Sequence, residues 1–575
     1  MLIVLSGPSR DGPRKTLIRI TCAKIKPNLL PSLVAIALFG MAQACYAAIR
    51  TETIMTREPF YITTAISYPN ASPHIGHAYE AIAADTMARF MRLGGRDVYF
   101  LTGADEHGLK MEQTARKEGM SPRALADSLT PLFQKMCACL AISNDDFIRT
   151  TEARHASACT ALWNALAKKG DIYKGRYEGW YSVRDEAYYD EGELTLGEDR
   201  QKLSPEGTEV EWTVEESYFF RLSAYQQPLL DHYAKNPKFI TPGTRYNEVV
   251  SFVKSGLKDL CLSRSSLSWG IPVPDDSDHV MYVWIDALTN YLTGIGYPDM
   301  QSDSYRKYWP AQIHVIGKDI IRFHAVFWPA FLLSAGLPLP ERIAAHGFLF
   351  HKGAKMSKSQ GNVVDPFDLA ERYGVDALRY FLLREISFGQ DGSYSDESIT
   401  TRYNADLANS FGNLVQRVIS FTVKNLEGVP PTLPDPMTDP DRDLLQMVAK
   451  KLEDMQRHFE DMTFSFGLES WLQAVVACNQ YIDQQAPWVL RKSDPKRMEE
   501  VLAVLILSIR DLAIAIQPVM PGSSGKILNL LGCAEDRRSL GDLGDIEAYQ
   551  AWYQSGYRLP ASDPIFPKLQ KPAKE

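Results

Sequence analysis

From Phe60 to Ile66 the chain reads FYITTAI, an apolar, β-branched run of the length expected for a buried strand. A turn containing Pro69, Asn70 and Ser72 follows. Apolar positions then recur at helical spacing from about Ile75 to Leu93, where Ala81, Ala84, Met87, Ala88 and Met91 supply one face and Gly94-Gly95 ends the helix. The run DVYFLTG, Asp97 to Gly103, predicts a second strand, which gives way to Asp105-Glu106-His107-Gly108. Strand, turn, helix and strand at this spacing make a βαβ unit, in which ligands sit beyond the carboxyl ends of the strands. His74, His77 and Asp105 all fall there.

The pattern changes near Lys168. YKGRYEGWYSVRDEAYYDEGEL is aromatic, Gly-rich and charged in short alternating segments, which predicts an inserted, partly β module running to about Leu267. Strand-then-helix texture returns in HVMYVWIDALTNY (279–291) and IHVIGKDIIRFHAVFWPAFLL (313–333). The reading is therefore one nucleotide-binding sheet split by an insertion. After Asp365 the chain turns helical: Leu407, Phe411, Leu414, Val415 and Ile419 form one apolar stripe, and Val501, Leu502, Val504, Leu505 and Ile509 another. Pro430 to Pro440 is a Pro-rich connector between helical blocks. The expected division is an extension over 1–54, a first half of the nucleotide-binding domain over 55–167, the insertion over 168–270 and a second half over 271–345. A loop region over 346–398, a helical domain over 399–560 and a tail over 561–575 complete it.

Composition adds limits. With 575 residues the chain is long enough for several domains, and its net charge of −8 excludes a wholesale cationic surface while allowing local basic patches. Its 8 cysteines include no C-x-x-C pair, which disfavours a disulfide framework and points to a reducing compartment. The residues before Met55 are basic, with Asp11 and Glu52 as the only acidic residues, and carry the apolar run Leu29 to Ala48. Two readings stand for them: an upstream stretch preceding a true start at Met55, or a targeting or disordered extension. The run is short for a membrane span and contains Pro31, so no membrane association is expected.

Two motifs carry chemistry. In Pro73-His74-Ile75-Gly76-His77, backbone N–H groups at a helix start favour phosphate, and Gly76 lets a ligand approach the backbone. His74 and His77 share a helix face, able either to donate to phosphate oxygens or simply to satisfy the helix end. Zinc would need a third ligand, and none is evident nearby. Far along the chain, Lys355-Met356-Ser357-Lys358-Ser359 lies in a loop flanked by Gly353, Gly361 and Asn362. Its lysines are point charges suited to developing phosphate charge, although alone they read equally as a solvated basic loop.

Taken together, these motifs resemble the HIGH and KMSKS signatures of class I aminoacyl-tRNA synthetases. The segments TTAISYPNASPHIGHAYE, FLTGADEHG, YVWIDALTNY, HVIGKDIIRFHAVFWPA and YGVDALRYFLLREISFGQDG are similar to the methionyl members of that class, from Met55 to about Gly556. An insertion of about 100 residues is too small for the editing domain of the isoleucyl, valyl and leucyl enzymes, which separate substrates one methylene apart. Another adenylyl-transferring enzyme of the same fold would lack the long helical half. A degenerate paralogue that only binds tRNA would have no need of both intact signatures.

The resemblance implies an α/β Rossmann-type parallel sheet with a connective insertion, followed by an all-α anticodon-binding bundle. It implies a methionine–tRNA ligase that forms methionyl-adenylate from L-methionine and ATP and then charges tRNA(Met), initiator and elongator alike. His74, His77, Lys355 and Lys358 would be catalytic; His74, Gly76, His77, Glu80, Asp319 and Lys358 would bind ATP, with Mg²⁺ accompanying it. Asp105 would hold the methionine ammonium. The aromatic Tyr68, Trp284, Tyr291 and Trp328, which suit a polarisable thioether, would form the side-chain pocket with Ile66, Ala287, Leu288, Ile320 and His324. Arg264 matches an arginine near the site, and Asn409 and Trp488 match positions that read the anticodon; core packing is the alternative for Trp488. Many relatives carry a zinc knuckle built from C-x-x-C pairs, but here Ser182-Val183-Arg184-Asp185 follows Tyr181 and no cysteine occurs between Cys159 and Cys261. A zinc-free knuckle is expected, held by Ser182, Arg184, Asp185 and Glu186 with Trp180, Tyr181 and Tyr188. The enzyme is expected to be a cytoplasmic monomer.

Overall fold

The computed structural model describes residues 58–184, 187–197, 201–265, 267–351 and 363–570, and the backbone alone of 2–7, 14–19 and 354–355. The side chains of residues 177, 187, 188 and 215 are likewise not described. Residues Met1–Thr56 form a separate unit from Arg57–Glu575. Within the first, Leu2–Gly7 pairs antiparallel with Arg14–Arg19; the apolar run from Leu29 to Ala48 lies outside the described residues.

The centre of the second unit is a six-stranded parallel sheet. The first strand, β1 (Pro59–Thr64), leads through α1 (Ile75–Leu93) to β2 (Asp97–Ala104), and β3 (Asp146–Arg149) extends that side. From there α2 (Ala153–Lys169) leads into the insertion, whose core is the antiparallel pair β4 (Ile172–Ser182) and β5 (Glu211–Phe220). The sheet resumes with β6 (Ile240–Thr241) and, after α3 (Val283–Thr293), with β7 (Ile313–Gly317) and β8 (Ile343–His346). The strand order is β6-β8-β7-β1-β2-β3. Chain order reverses direction at the β1/β7 junction, and a crevice for a ligand opens at such a point. Residues Phe60–Thr64, all of β7 and all of β8 are buried, as a parallel sheet covered on both faces requires.

Two sequence expectations change here. The region 168–270 is not all insertion, because β6 pairs in parallel with β8 (Ile240 with Ile343) and belongs to the main sheet. A two-residue strand leaves no periodic signature, so its place is set by tertiary pairing alone. The strand ahead of α3, Asp276–Met281, does not join the main sheet either. It lies in a small antiparallel sheet with Ser263–Arg264 and Pro272–Val273.

Beyond the sheet, α4 (Val375–Glu385) leads to a helical bundle whose two apolar stripes are fully buried. The tail is docked on that bundle. Phe566 is buried against Tyr403 and Phe411, and Leu569 exchanges hydrogen bonds with the Asn404 side chain. Its prolines suppress helical periodicity, so only isolated apolar anchors hold it.

Candidate active site

His74 is the N-cap of α1. Its Nδ1 accepts from Gly76 N at 3.0 Å, while His77 Nδ1 accepts from His74 N at 3.1 Å. The pair is a capping box made of imidazoles, each satisfying one orphan donor of the helix end. With both Nδ1 atoms accepting from backbone N–H, each ring in its neutral form carries its proton on Nε2. The rings stack at 3.8 Å. Burial, then the neighbouring His74 and Lys110, pull His77 well below the usual histidine range, so it is a neutral donor. Gly76 has a use the sequence did not reveal: a Cβ there would stand 2.8 Å from His74 Cε1. The glycine makes room for the capping ring as well as for a ligand.

One turn on, Glu80 meets His346 Nε2 at 2.9 Å, and His346 Nδ1 donates to Gly347 O at 2.8 Å. Burial opposes charge on His346, but the Glu80 carboxylate outweighs it and holds the ring above its ordinary range. Asp319, in the turn after β7, is exposed. Gly317 permits its approach, since a Cβ there would lie 2.6 Å from Asp319 Oδ1.

A cavity of about 410 Å³ opens at the carboxyl edge of the sheet. Ile66, Tyr68, Asp105, Trp284, Ala287, Leu288, Tyr291, Ile320 and His324 line it, together with His74 and Asp319. Nine of the ten side chains expected to hold methionine thus line one cavity. The exception, Trp328, is fully buried behind Tyr291, with ring centroids 6.0 Å apart, and does not line the cavity. His324 Nδ1 donates to Ile320 O at 3.0 Å and its Nε2 accepts from the Tyr291 hydroxyl at 2.7 Å. Burial pushes it down to about 4, leaving this ring uncharged at neutral pH. The Trp284 and Phe323 rings stack at 3.7 Å within this wall. Asp105 is 6% exposed and is approached by His107 N at 3.4 Å. His77 and Glu80 face an adjoining narrow cleft beside Thr64 and Ser67.

Sequence reading missed several lining residues. Lys110, Phe323 and Asn290 come from the catalytic core, and Arg184, Tyr189, Glu206 and Thr208 from the insertion. Lys110 stands over the Tyr68 ring at 5.2 Å. Only the step from Gly108 to a helix hinted at it, and nothing local marks the insertion residues. In the knuckle, Ser182 Oγ bonds Thr208 Oγ1 at 2.7 Å and Ser204 Oγ bonds the same hydroxyl at 2.8 Å, all three buried. Asp185 and Glu186 lie outside the described residues, so their expected share in the turn does too. The Arg264 guanidinium covers the Tyr181 ring at 3.8 Å and lines a smaller pocket next to Val283.

Lys355 lies in a short strand whose backbone pairs with Phe350. Its side chain and the whole of Lys358 are outside the described residues. Asn409 is exposed in the π-helical stretch Tyr403–Gly412, which runs into the Asn413–Leu426 helix. Arg417 of that helix stands over Trp488 at 5.4 Å. Trp488 is 44% exposed, which removes core packing as its explanation.

A family profile described as tRNA synthetases class I (M) matches residues 60–198 and 194–419. Another, described as the anticodon binding domain of methionyl tRNA ligase, matches 433–575. A methionine–tRNA ligase of Brucella suis biovar 1 is 56% identical over 514 residues, covering 89% of this chain and 98% of that protein. Its counterpart from Mycobacterium tuberculosis strain H37Rv is 54% identical over 520 residues, covering 90% and 99%. Among solved structures, Mycobacterium tuberculosis methionyl-tRNA synthetase in complex with methionyl-adenylate matches with a TM-score of 0.85 at 53% identity, over 89% of this chain and 100% of that one. The apo form from the same organism gives 0.79 at 50% identity, over 90% and 99%.

Proposed function

The chain belongs to the methionyl-tRNA synthetase family of class I and acts as a methionine–tRNA ligase, and we propose that the residues gathered at the carboxyl edge of its parallel sheet divide the work as follows. The observation that carries this is the single cavity in which Asp105 and the uncharged Tyr291–His324 wall face the His74 and Asp319 side.

L-Methionine enters with its ammonium on Asp105, whose buried carboxylate meets that charge with a charge-assisted hydrogen bond. The thioether lies among Tyr68, Trp284, Ala287, Leu288 and Tyr291. Tyr291 donates a hydrogen bond from its hydroxyl to His324, so the ring faces sulfur rather than a competing polar ligand. ATP lies across the β1/β7 junction, with its ribose on Asp319 and its phosphates over the start of α1. There His74 and His77 donate from Nε2, and neutral donors stabilise phosphate without the cost of burying further charge. Glu80 and His346 hold the nucleotide side of α1. The methionine carboxylate oxygen attacks the α-phosphorus; the bond to the bridging oxygen breaks, and pyrophosphate leaves with its negative charge. Lys358, with Lys355 behind it, meets that charge as it develops. In the second step a hydroxyl of the tRNA 3′-terminal ribose attacks the adenylate carbonyl and AMP leaves. Asn409 and Trp488 read the anticodon, Trp488 by stacking.

Mg²⁺ would accompany ATP, neutralising phosphate charge. The cavity carboxylates Asp105, Glu206 and Asp319 leave it to be held chiefly by the phosphates. In the knuckle, Ser182, Ser204 and Thr208 bond one another, and hydroxyls are poor zinc ligands, so the knuckle works without zinc. A cytoplasmic monomer serving tRNA(Met) completes the proposal.

The test is Lys358→Ala. Single-turnover adenylate formation should slow by at least about a hundredfold while methionine binding is nearly unchanged, because the charge this lysine meets exists only beyond the ground state. A loss confined to methionine binding would overturn the assignment.

A further inference from the structure

Beneath the cavity lies a buried polar chain that no step above uses. Asp286, on α3, accepts from His107 Nδ1 at 2.7 Å and from His155 Nε2 at 2.8 Å, one on each carboxylate oxygen. His155 stands in the first turn of α2, and its Nδ1 meets Thr293 Oγ1, back on α3, at 3.0 Å. Asp286 is 1% exposed and His155 is fully buried. The Cys159 thiol lies 3.3 Å from His155 Nε2, so His155, Cys159 and Asp286 form a metal-capable group. A nitrogen–oxygen separation of 2.8 Å is nevertheless that of a hydrogen bond. Two zinc ligands at tetrahedral angles stand about 3.3 Å apart.

A carboxylate this deep is an expensive way to fill a core, since apolar side chains of similar volume are often as stabilising. What it joins gives it a purpose. On one side, His107 follows Asp105 by two residues, donates its backbone N–H towards Asp105 Oδ1, and accepts the Tyr68 hydroxyl on its carbonyl at 2.5 Å. On the other side, Asp286 directly precedes Ala287 and Leu288 in α3, and Tyr291 follows on the same helix. The charged end and the apolar end of the cavity therefore meet at this one side chain.

We propose that Asp286, anchored by His155, is a positioning residue that fixes the span between the Asp105 carboxylate and the Ala287–Leu288–Tyr291 wall, and so sets the side-chain length of the amino acid accepted. This rests on methionine occupying that cavity as described above. Shifting either wall by a fraction of an ångström changes the fit of the amino acid before it changes the handling of ATP, which is bound across the β1/β7 junction.

The test is ATP–pyrophosphate exchange by the full chain with L-methionine and with L-ethionine, one carbon longer. Asp286→Asn keeps the shape but cannot accept both histidine protons. His155→Gln acts from outside the cavity altogether. In both variants KM for methionine should rise at least about tenfold, with kcat and KM for ATP within about threefold. The preference for methionine over ethionine, of the order expected for one methylene, should fall at least about fivefold. If Asp286→Asn does not fold, His155→Gln decides on the same readouts. An unchanged methionine KM and selectivity would overturn the proposal, and so would an equal loss with every substrate, which marks a bracing role only. A wild-type chain whose exchange did not depend on methionine would instead remove the assignment on which the proposal rests.

Discussion

Arg379 of α4 is ion-paired at 2.7 Å with Asp85 of α1, the helix that His74 caps, and both side chains are fully buried. The remaining guanidinium donors reach Val519 O at 2.9 Å, Pro518 O at 2.8 Å and Leu140 O at 3.1 Å. Asp85 also accepts from Ser143 N and Oγ at 2.6 Å. One cation thus ties α1 to the segment that leaves the long bundle helix Pro495–Ile516. Arg379→Met would leave a buried carboxylate short of a partner and three carbonyls without a donor. The expected cost is about 3–5 kcal/mol in chemical denaturation; a change below about 1 kcal/mol would contradict the reading.

Gly76→Ala tests the histidine capping box. The new Cβ would stand 2.8 Å from His74 Cε1, so the ring must swing away and release the Gly76 N–H. Stability should fall by about 1 kcal/mol, as for loss of an N-cap. Adenylate formation should fall far more, because His74 Nε2 leaves the phosphate side. An alanine variant with wild-type exchange would show that His74 is structural.

His324 gives a pH dependence with a definite sign. Burial holds its folded-state value at about 4, below the ordinary value near 6.5. As pH falls below about 6.5, the unfolded chain binds the proton first, so stability is full above that value and drains away as pH approaches 4. The slope from this one group is up to about 1.4 kcal/mol per pH unit. His77 and His314 lean the same way, burial being the main cause in both. Urea unfolding at pH 7.5 and 5.0 should show a smaller loss for His324→Gln than for the wild type; identical losses would contradict it.

Trp488→Ala should weaken tRNA charging by about 1–3 kcal/mol in kcat/KM for tRNA(Met), the worth of one stacked base. Because this indole is 44% exposed and sits on the helical bundle, pyrophosphate exchange should be unchanged. A parallel fall in exchange would assign Trp488 to stability.

Much of this arrangement is legible in the residues. The βαβ start, the mouth of α1 and the two buried bundle stripes follow from periodicity, because each element buries a face that its own sequence marks. Long-range pairing is not legible in this way. β6 has two residues and no pattern, and only its parallel partner Ile343 gives it a place. His346 ends β8 and Lys110 opens the Leu109–Lys117 helix, and no local spacing marks either as a site residue. Asp286 looks like an ordinary helical acid in VWIDALTNY, and its meaning appears only when His107 and His155 arrive from other elements. Trp328, expected among the pocket side chains, lies buried behind Tyr291, a depth that its place in the sequence does not mark.

The most direct measurement is amino-acid-dependent ATP–pyrophosphate exchange, run with each of the twenty standard amino acids in turn. The cavity of Asp105, Tyr68, Trp284 and the Tyr291–His324 pair predicts exchange with L-methionine at least about a hundredfold above any other amino acid in kcat/KM, since an apolar site tuned to a thioether also rejects shorter, branched and charged side chains. Comparable exchange with a second amino acid, or none with methionine, would contradict the account.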